Sequence, residues 1–283
     1  MLNQRGGIEH DMTVIRLDDE AYWLSVGTGA VKRAMAWLYR HLHQTERVEI
    51  VDTTNDFATL ALAGAHAPQA AEAAGAMDLL DLKYFRHANT EIAGVPVRAV
   101  RMSYVGEAGW EITCPADRAK SLYDTLAGAG ARPAGMFAQT SMRIEKRFLA
   151  HGHDIDSDVD PLTAGLAFAV SWDTDFIGRD ALKRIREIGQ SKTIVTILFD
   201  NADAWPLGDE PVYADGRIVG QTTSAAFGYR IGKPIALAIV ERTAAEAAVV
   251  VDIAGTHHRA RSQPGAAFDP AGSRMRARSG SGG

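Results

Sequence analysis

An acidic side chain framed by glycines stands near the middle of the chain, in Ser103-Tyr104-Val105-Gly106-Glu107-Ala108-Gly109-Trp110-Glu111-Ile112. Gly106 and Gly109 permit backbone angles that a residue with a Cβ resists, so the spacing predicts a stiff turn around Glu107. A carboxylate fixed in that way can accept two parallel N–H bonds from a planar, amidine-like group. A solvated turn acid is the commoner meaning of such a turn, and the turn alone leaves both readings open.

Other stretches carry ligand-type residues without completing a site. Asp154, Asp156, Asp158 and Asp160 alternate like the opening of a calcium loop. The sixth place, however, holds Val159 instead of glycine, and the twelfth holds Gly165 instead of glutamate. His151 with His153, and His257 with His258, have spacings that a metal could use. No cysteine or further ligand set accompanies them, so no metal site is expected. Gly27 and Gly29 sit between a strand-like and a helix-like run, as in a dinucleotide turn, but Lys32 stands where the third glycine belongs. No phosphate-binding Gly-Lys-Ser/Thr loop is present, and no flavin or nicotinamide site is visible. Neither a Ser–His–Asp pattern nor an activated cysteine points to a covalent nucleophile.

These residues need a scaffold, and composition bounds it. A chain of 283 residues, 46% hydrophobic, is long enough for two or three domains. A net charge of −5 gives no basic field, so nucleic acid is not expected as the main partner. The single cysteine, Cys114, cannot form an internal disulfide, and its alternation with Ile112 predicts a small buried apolar residue. No apolar run is long enough to span a bilayer, so no membrane is expected. The N-terminus lacks a hydrophobic signal core, which makes the cytoplasm the expected compartment.

Hydrophobic periodicity predicts strands at 13–17 and 21–26, an amphipathic helix over 29–43, strands at 48–52 and 57–62, and a short helix over 66–74. Residues 84–90 read as loop or edge. Strands at 97–104 and 110–114 flank the Glu107 turn, with alternation already visible from 95 to 100. Helices follow over 116–128, 138–149 and 178–188, the last ending at Gly189. Beyond about residue 191 the texture changes to short β-rich runs at 193–199, 211–213, 217–223, 235–241, 247–253 and 257–262, with Asp215-Gly216 as a hairpin turn. That texture predicts a separate small antiparallel barrel or sandwich. The expected division is therefore 1–190, 191–274 and a disordered tail over 275–283, rich in Arg, Ser and Gly.

A resemblance adds to this reading. Ser141-Met142-Arg143-Ile144-Glu145-Lys146-Arg147, His151-Gly152-His153-Asp154-Ile155, Asp160-Pro161-Leu162-Thr163-Ala164-Gly165-Leu166 and Asp175-Phe176-Ile177-Gly178-Arg179-Asp180-Ala181-Leu182 follow in that order. Together with Glu107, they resemble the tetrahydrofolate-binding aminomethyltransferase family. That family holds the glycine-cleavage T-protein and the folate domains of dimethylglycine and sarcosine dehydrogenases. Asn3-Gln4-Arg5-Gly6-Gly7-Ile8-Glu9-His10-Asp11 resembles its Asn-x-x-Gly-Gly-Ile-x-x-Asp segment, and the run from Gly220 to Leu237 resembles its C-terminal domain. The wording is closer to the dehydrogenase-linked branch. The resemblance implies an α+β fold, with ferredoxin-like sub-domains of antiparallel sheet and helices followed by a small C-terminal antiparallel β-barrel. It also implies a folate-binding body that is incomplete at its N-terminus, because members carry a substantial stretch before the Asn-x-x-Gly-Gly segment.

The same resemblance implies roles for single residues. Asp11 is the catalytic candidate, a carboxylate beside N5 of tetrahydrofolate that steadies a developing cation. The T-protein carries two adjacent acids here, and in this chain His10 takes the first place. Glu107 becomes the pterin clamp and Arg143 the helix arginine that faces folate. Tyr84 and Tyr104 are candidates to pack on the ligand's flat rings, with core packing as the commoner role. Tyr229, with Lys233, is a candidate for the folate tail. The implied function is transfer of a methylamine-derived carbon to tetrahydrofolate, giving 5,10-methylenetetrahydrofolate. Expected partners are folate, a small amine-derived substrate and a flavin amine dehydrogenase subunit or domain. The alternative is a non-catalytic folate-binding or assembly subunit of such a dehydrogenase.

Overall fold

Chain connectivity interleaves two compact units. The computed structural model describes residues 1–276. One unit comprises Met1–Thr13 with Met136–Pro270, and the other Val14–Gly135 with the stretch that starts at Ala271. This division does not fall at residue 190, because the helix and loops after residue 136 pack onto barrel strands and share the barrel's unit.

The first elements are β1 (Met12–Arg16) and β2 (Tyr22–Val26), a two-stranded sheet, followed by helix α1 (Val31–His41). No strand forms over 48–52. Next come β3 (Phe57–Ala63), helices α2 (Ala67–Ala73) and α3 (Met77–Leu80), then β4 (His87–Ile92), β5 (Val95–Val100), β6 (Gly109–Pro115) and helix α4 (Ala119–Gly128). The strands form an antiparallel sheet in the order β3-β6-β5-β4. Alternation decides its faces: Trp110, Ile112 and Cys114 of β6 point with Val95, Val97 and Ala99 of β5 into one core. Alanines of α2, Leu79 of α3, and Leu122 and Leu126 of α4 close that core. Trp110 meets its polar requirement by donating Nε1–H to the Leu79 carbonyl at 2.9 Å.

In the other unit, helix α5 (Met136–Glu145) leads through loops to α6 (Arg179–Ile188) and then to six strands. These are β7 (Lys192–Phe199), β8 (Pro211–Ala214), β9 (Arg217–Gly228), β10 (Lys233–Glu241), β11 (Ala248–Ile253) and β12 (Thr256–Gln263). They close into an antiparallel barrel in the order β10-β7-β12-β11-β8-β9. Val195, Ile197 and Phe199 of β7 fill its interior with Ala236, Ala238 and Val240 of β10. The opposite faces of these two strands, Ile194, Ile235 and Leu237, are buried as well, against Ile8, Ile144, Leu149 and Ile155. A strand buried on both faces reads as a continuous apolar run, which is what 233–241 shows. The mixed α and antiparallel-β fold with a terminal closed barrel matches the expectation from sequence.

The tail differs in part from that expectation. Ser273–Arg276 forms a last helical turn, α7, with Met275 buried. The rest of the expected disordered stretch lies outside the described residues.

The two glycines of the Glu107 turn act for different reasons. Gly106 has φ +75°, the left-handed region that a Cβ resists. Gly109 is needed for space instead: a Cβ there would stand 2.6 Å from the Ala63 Cβ and 2.8 Å from the Leu62 carbonyl. Gly109→Ala is therefore expected to destabilise the protein by about 1–3 kcal/mol through forced separation of β3 and β6. Urea unfolding with an unchanged midpoint would show that the strands absorb the methyl group freely.

Candidate functional site

Glu107 lies at the end of the connection from β5 to β6, two residues before β6 begins. It is only 7% exposed. Its Oε2 accepts a hydrogen bond from Nε of Arg274 on α7 at 2.8 Å. The connection is braced from within, since the Ser103 hydroxyl accepts from the Val105 amide at 3.2 Å. Its first residue, Arg101, lays its guanidinium 4.4 Å over the Trp110 ring, and burial lowers its pKa.

Tyr84 belongs to the same unit, on the loop before β4. The Phe85 amide donates to the Arg101 carbonyl at 2.9 Å, which joins this loop to the start of the Glu107 connection. The Tyr84 ring is half-buried, tilted against Phe85 with centroids 4.2 Å apart. Burial pushes its hydroxyl pKa up, and the charge of Arg276 acts in the opposite sense. Tyr104 is half-buried, three residues before Glu107. Three of the expected site residues, Tyr84, Tyr104 and Glu107, thus fall on one unit.

Asp11, Arg143 and Tyr229 fall on the other. Asp11 is exposed at the end of an ordered N-terminal loop. Leu2 and Ile8 bridge antiparallel, and Asn3 accepts from the amides of Arg5 and Gly7 at 2.9 and 3.1 Å while donating to the Ser157 carbonyl at 2.8 Å. Gly7 leaves no room for a side chain against Ser157. His10 is 1% exposed, and its ring stacks on His151 with centroids 6.2 Å apart. His151 in turn bonds the Ile8 carbonyl at 3.1 Å. The residue before Asp11 is therefore anchored, and Asp11 leaves a fixed point.

Arg143 is 5% exposed, and both terminal nitrogens are engaged inside the protein. Nη1 donates to Asp154 Oδ2 at 2.5 Å and to the Phe148 carbonyl at 3.1 Å, and Nη2 donates to the Ser224 hydroxyl at 2.6 Å. Asp154 also accepts from the Ala150 amide and from the Thr223 hydroxyl. The guanidinium thus ties α5 to β9 and to the loop after the helix. Neither Arg143 nor Glu145 lies on a solvated face of the helix.

Glu145 is fully buried and accepts from the amides of Arg230 and Ile231 and from the Arg230 guanidinium. Arg230 lies 4.0 Å over the Phe268 ring and donates to the Met142 carbonyl at 2.6 Å. This clamp fixes the turn after β9 and leaves Tyr229 projecting at 79% exposure, its ring edge-on to Phe227. Among the described residues, no group of three or more His, Cys, Asp or Glu side chains could hold a metal ion. Also among the described residues, no helix is long and apolar enough to cross a membrane.

Sequence reasoning missed Arg274, Glu145 and Asp154 as partners. All three stand in polar or charged stretches, AGSRMR, SMRIEKR and HGHDIDSD, which give no local signal of a buried partner. Asp154→Ala is expected to cost about 3–5 kcal/mol of stability, since it strands a buried guanidinium. A loss below about 1 kcal/mol on denaturant unfolding would mean that Arg143 finds water or another acceptor.

Residues 1–174 match the GCVT N-terminal domain, and residues 192–269 match the glycine cleavage T-protein C-terminal barrel domain. The mitochondrial dimethylglycine dehydrogenase of Mus musculus is 31% identical over 262 residues, covering 89% of this chain and 30% of that protein. An aminomethyltransferase of Symbiobacterium thermophilum is 34% identical over 251 residues, covering 85% of this chain and 67% of that protein. The crystal structure of glycine cleavage system aminomethyltransferase T from Bartonella henselae superposes with a TM-score of 0.83 at 25% identity, covering 93% of this chain and 73% of that one. The chain thus spans less than a third of the dehydrogenase and about two thirds of the transferase. Its two matched segments, its barrel and its antiparallel body agree: the chain belongs to the glycine cleavage T-protein family.

Proposed function

We propose that this chain is a tetrahydrofolate-dependent one-carbon transferase that forms 5,10-methylenetetrahydrofolate from a methylamine-derived group. The observation that carries the reading is Glu107: a buried carboxylate, held by a left-handed glycine at a strand end, in a chain of this family. A buried acid fixed at the end of a rigid sheet suits a planar pair of N–H donors, which is what the 2-amino-4-oxopterin edge presents. Tetrahydrofolate supplies the two nitrogens that take up a one-carbon unit at the formaldehyde oxidation level.

The protein's part is positioning and charge. Glu107 orients the ligand through its two oxygens. Tyr84 and Tyr104, half-buried in the same unit, offer aromatic faces for flat rings. Asp11, held by the anchored His10, offers an exposed carboxylate to steady positive charge on the carbon as it is transferred. Arg143 contributes indirectly, by fixing α5 against the barrel. The order of the Gly6-Gly7 loop and the burial of His10 give Asp11 a fixed point of attachment, which a catalytic carboxylate needs. In dimethylglycine or sarcosine breakdown the amine would be oxidised elsewhere, by a flavin amine dehydrogenase domain or partner, whereas in glycine breakdown the carbon would arrive as an aminomethyl group already at the formaldehyde oxidation level.

Two measurements test this reading. Glu107→Ala is expected to weaken tetrahydrofolate binding by about 1–3 kcal/mol in calorimetry, the cost of losing a charged acceptor. Equal affinities for wild type and variant would remove Glu107 from the site. Asp11→Asn is expected to leave affinity within a few-fold and to slow methylenetetrahydrofolate formation by at least about tenfold, because the charge acts in the transition state. Equal rates with a formaldehyde-derived iminium donor would end the catalytic assignment, and binding without transfer by either protein would favour the assembly subunit.

A further inference from the structure

Glu107 owes its position to more than its own turn. A carboxylate taken out of water needs donors around it, and a fully local turn supplies few. Here one donor arrives from the far end of the chain, 167 residues along: Nε of Arg274 meets Oε2 at 2.8 Å. The α7 turn that carries it is seated by Met275, which is 8% exposed, while the Arg274 side chain keeps 48% of its surface in solvent. Arg276, on the same turn, donates to the Ala271 carbonyl and places its charge near Tyr84. One short C-terminal turn therefore bears on two of the three candidate residues of its unit.

We infer that Arg274 is a positioning residue for Glu107, fixing the carboxylate as an oriented acceptor for the ligand's paired N–H groups. The inference rests on the proposed folate reading of Glu107 and adds the residue that makes it work. The contact geometry suits the task. An ionised carboxylate offers about four acceptor directions, and the Arg274 Nε–H takes one of them, so this contact directs the side chain without itself using it up. The guanidinium plane gives that N–H a fixed direction, which a freely rotating ammonium lacks. Without it, Glu107 loses one of the contacts that orient it, and a ligand would have to do that ordering on binding.

A double-mutant cycle on the full chain tests this, with tetrahydrofolate titrated by calorimetry and thermal unfolding followed alongside. Arg274→Gln is expected to weaken binding about tenfold when Glu107 is present and less than about twofold in the Glu107→Gln background, with melting unchanged in both. Arg274→Lys, which keeps the charge but loses the directed N–H, is expected to fall between Arg and Gln. Equal losses in both backgrounds would overturn the inference and make α7 a general support. Unchanged or tighter binding by Arg274→Gln would also overturn it, the tighter case making Arg274 a competitor for the acid. If wild type itself binds no tetrahydrofolate, the folate reading falls and this inference with it. That outcome is distinct from a wild type that binds and an Arg274 variant that matches it.

Discussion

A guanidinium removed from water must find an acceptor for the hydrogens it points inward, and in the barrel unit that demand decides where α5 lies. Arg143 reaches Asp154, Ser224 and the Phe148 carbonyl. Two residues on, Glu145 collects the turn at 230–231 and the Arg230 guanidinium. Positions i and i+2 of a helix point about 200° apart. The helix is therefore held from two sides by charges of opposite sign, and rotation about its axis would leave one of them bare. Apolar contacts from Ile144 fill the space between, but contacts of that kind tolerate sliding, and buried charges do not.

Local pattern was enough for most of the elements. Alternation located β5, β6 and the barrel strands, and Asp215-Gly216 turns the β8–β9 hairpin with φ of +49° and +75°. Failures occurred where distant residues decide. The helix expected to run to residue 149 stops at Glu145, because Arg147 adopts φ +56° and the Phe148 amide returns to the Arg143 carbonyl. The pattern at 48–52 suits a strand, yet no ladder forms there. At the candidate site, the Glu107 turn was readable from its glycines. The partners were not: Arg143 meets Ser224 81 residues away, and Arg274 stands just before the stretch expected to be disordered, 167 residues from Glu107. Pairings across such separations leave no periodic trace in either segment.

The two candidate carboxylates are held by different means. Glu107 sits in an interior position, stiffened by a glycine and by an arginine from elsewhere in its own unit. Asp11 is open to solvent, and what is fixed is the buried imidazole before it. An acceptor that recognises a ligand gains from being pre-oriented. A charge that responds to a developing cation must be within reach of it, which exposure allows. The contrast in exposure fits those separate tasks.

The interleaving of the two units has a consequence for synthesis on the ribosome. The loop that carries Asp11 is made well before the segment it docks on, since the Ser157 carbonyl that receives Asn3 is 154 residues later in the chain. Until that segment emerges, the first thirteen residues have nothing to dock on, while residues 14–135 contain a complete sheet-and-helix core of their own. Vectorial emergence thus favours the unit of residues 14–135 forming early and the unit that includes residues 1–13 completing late. The long-range closure carries the larger loop entropy and is the natural slow step.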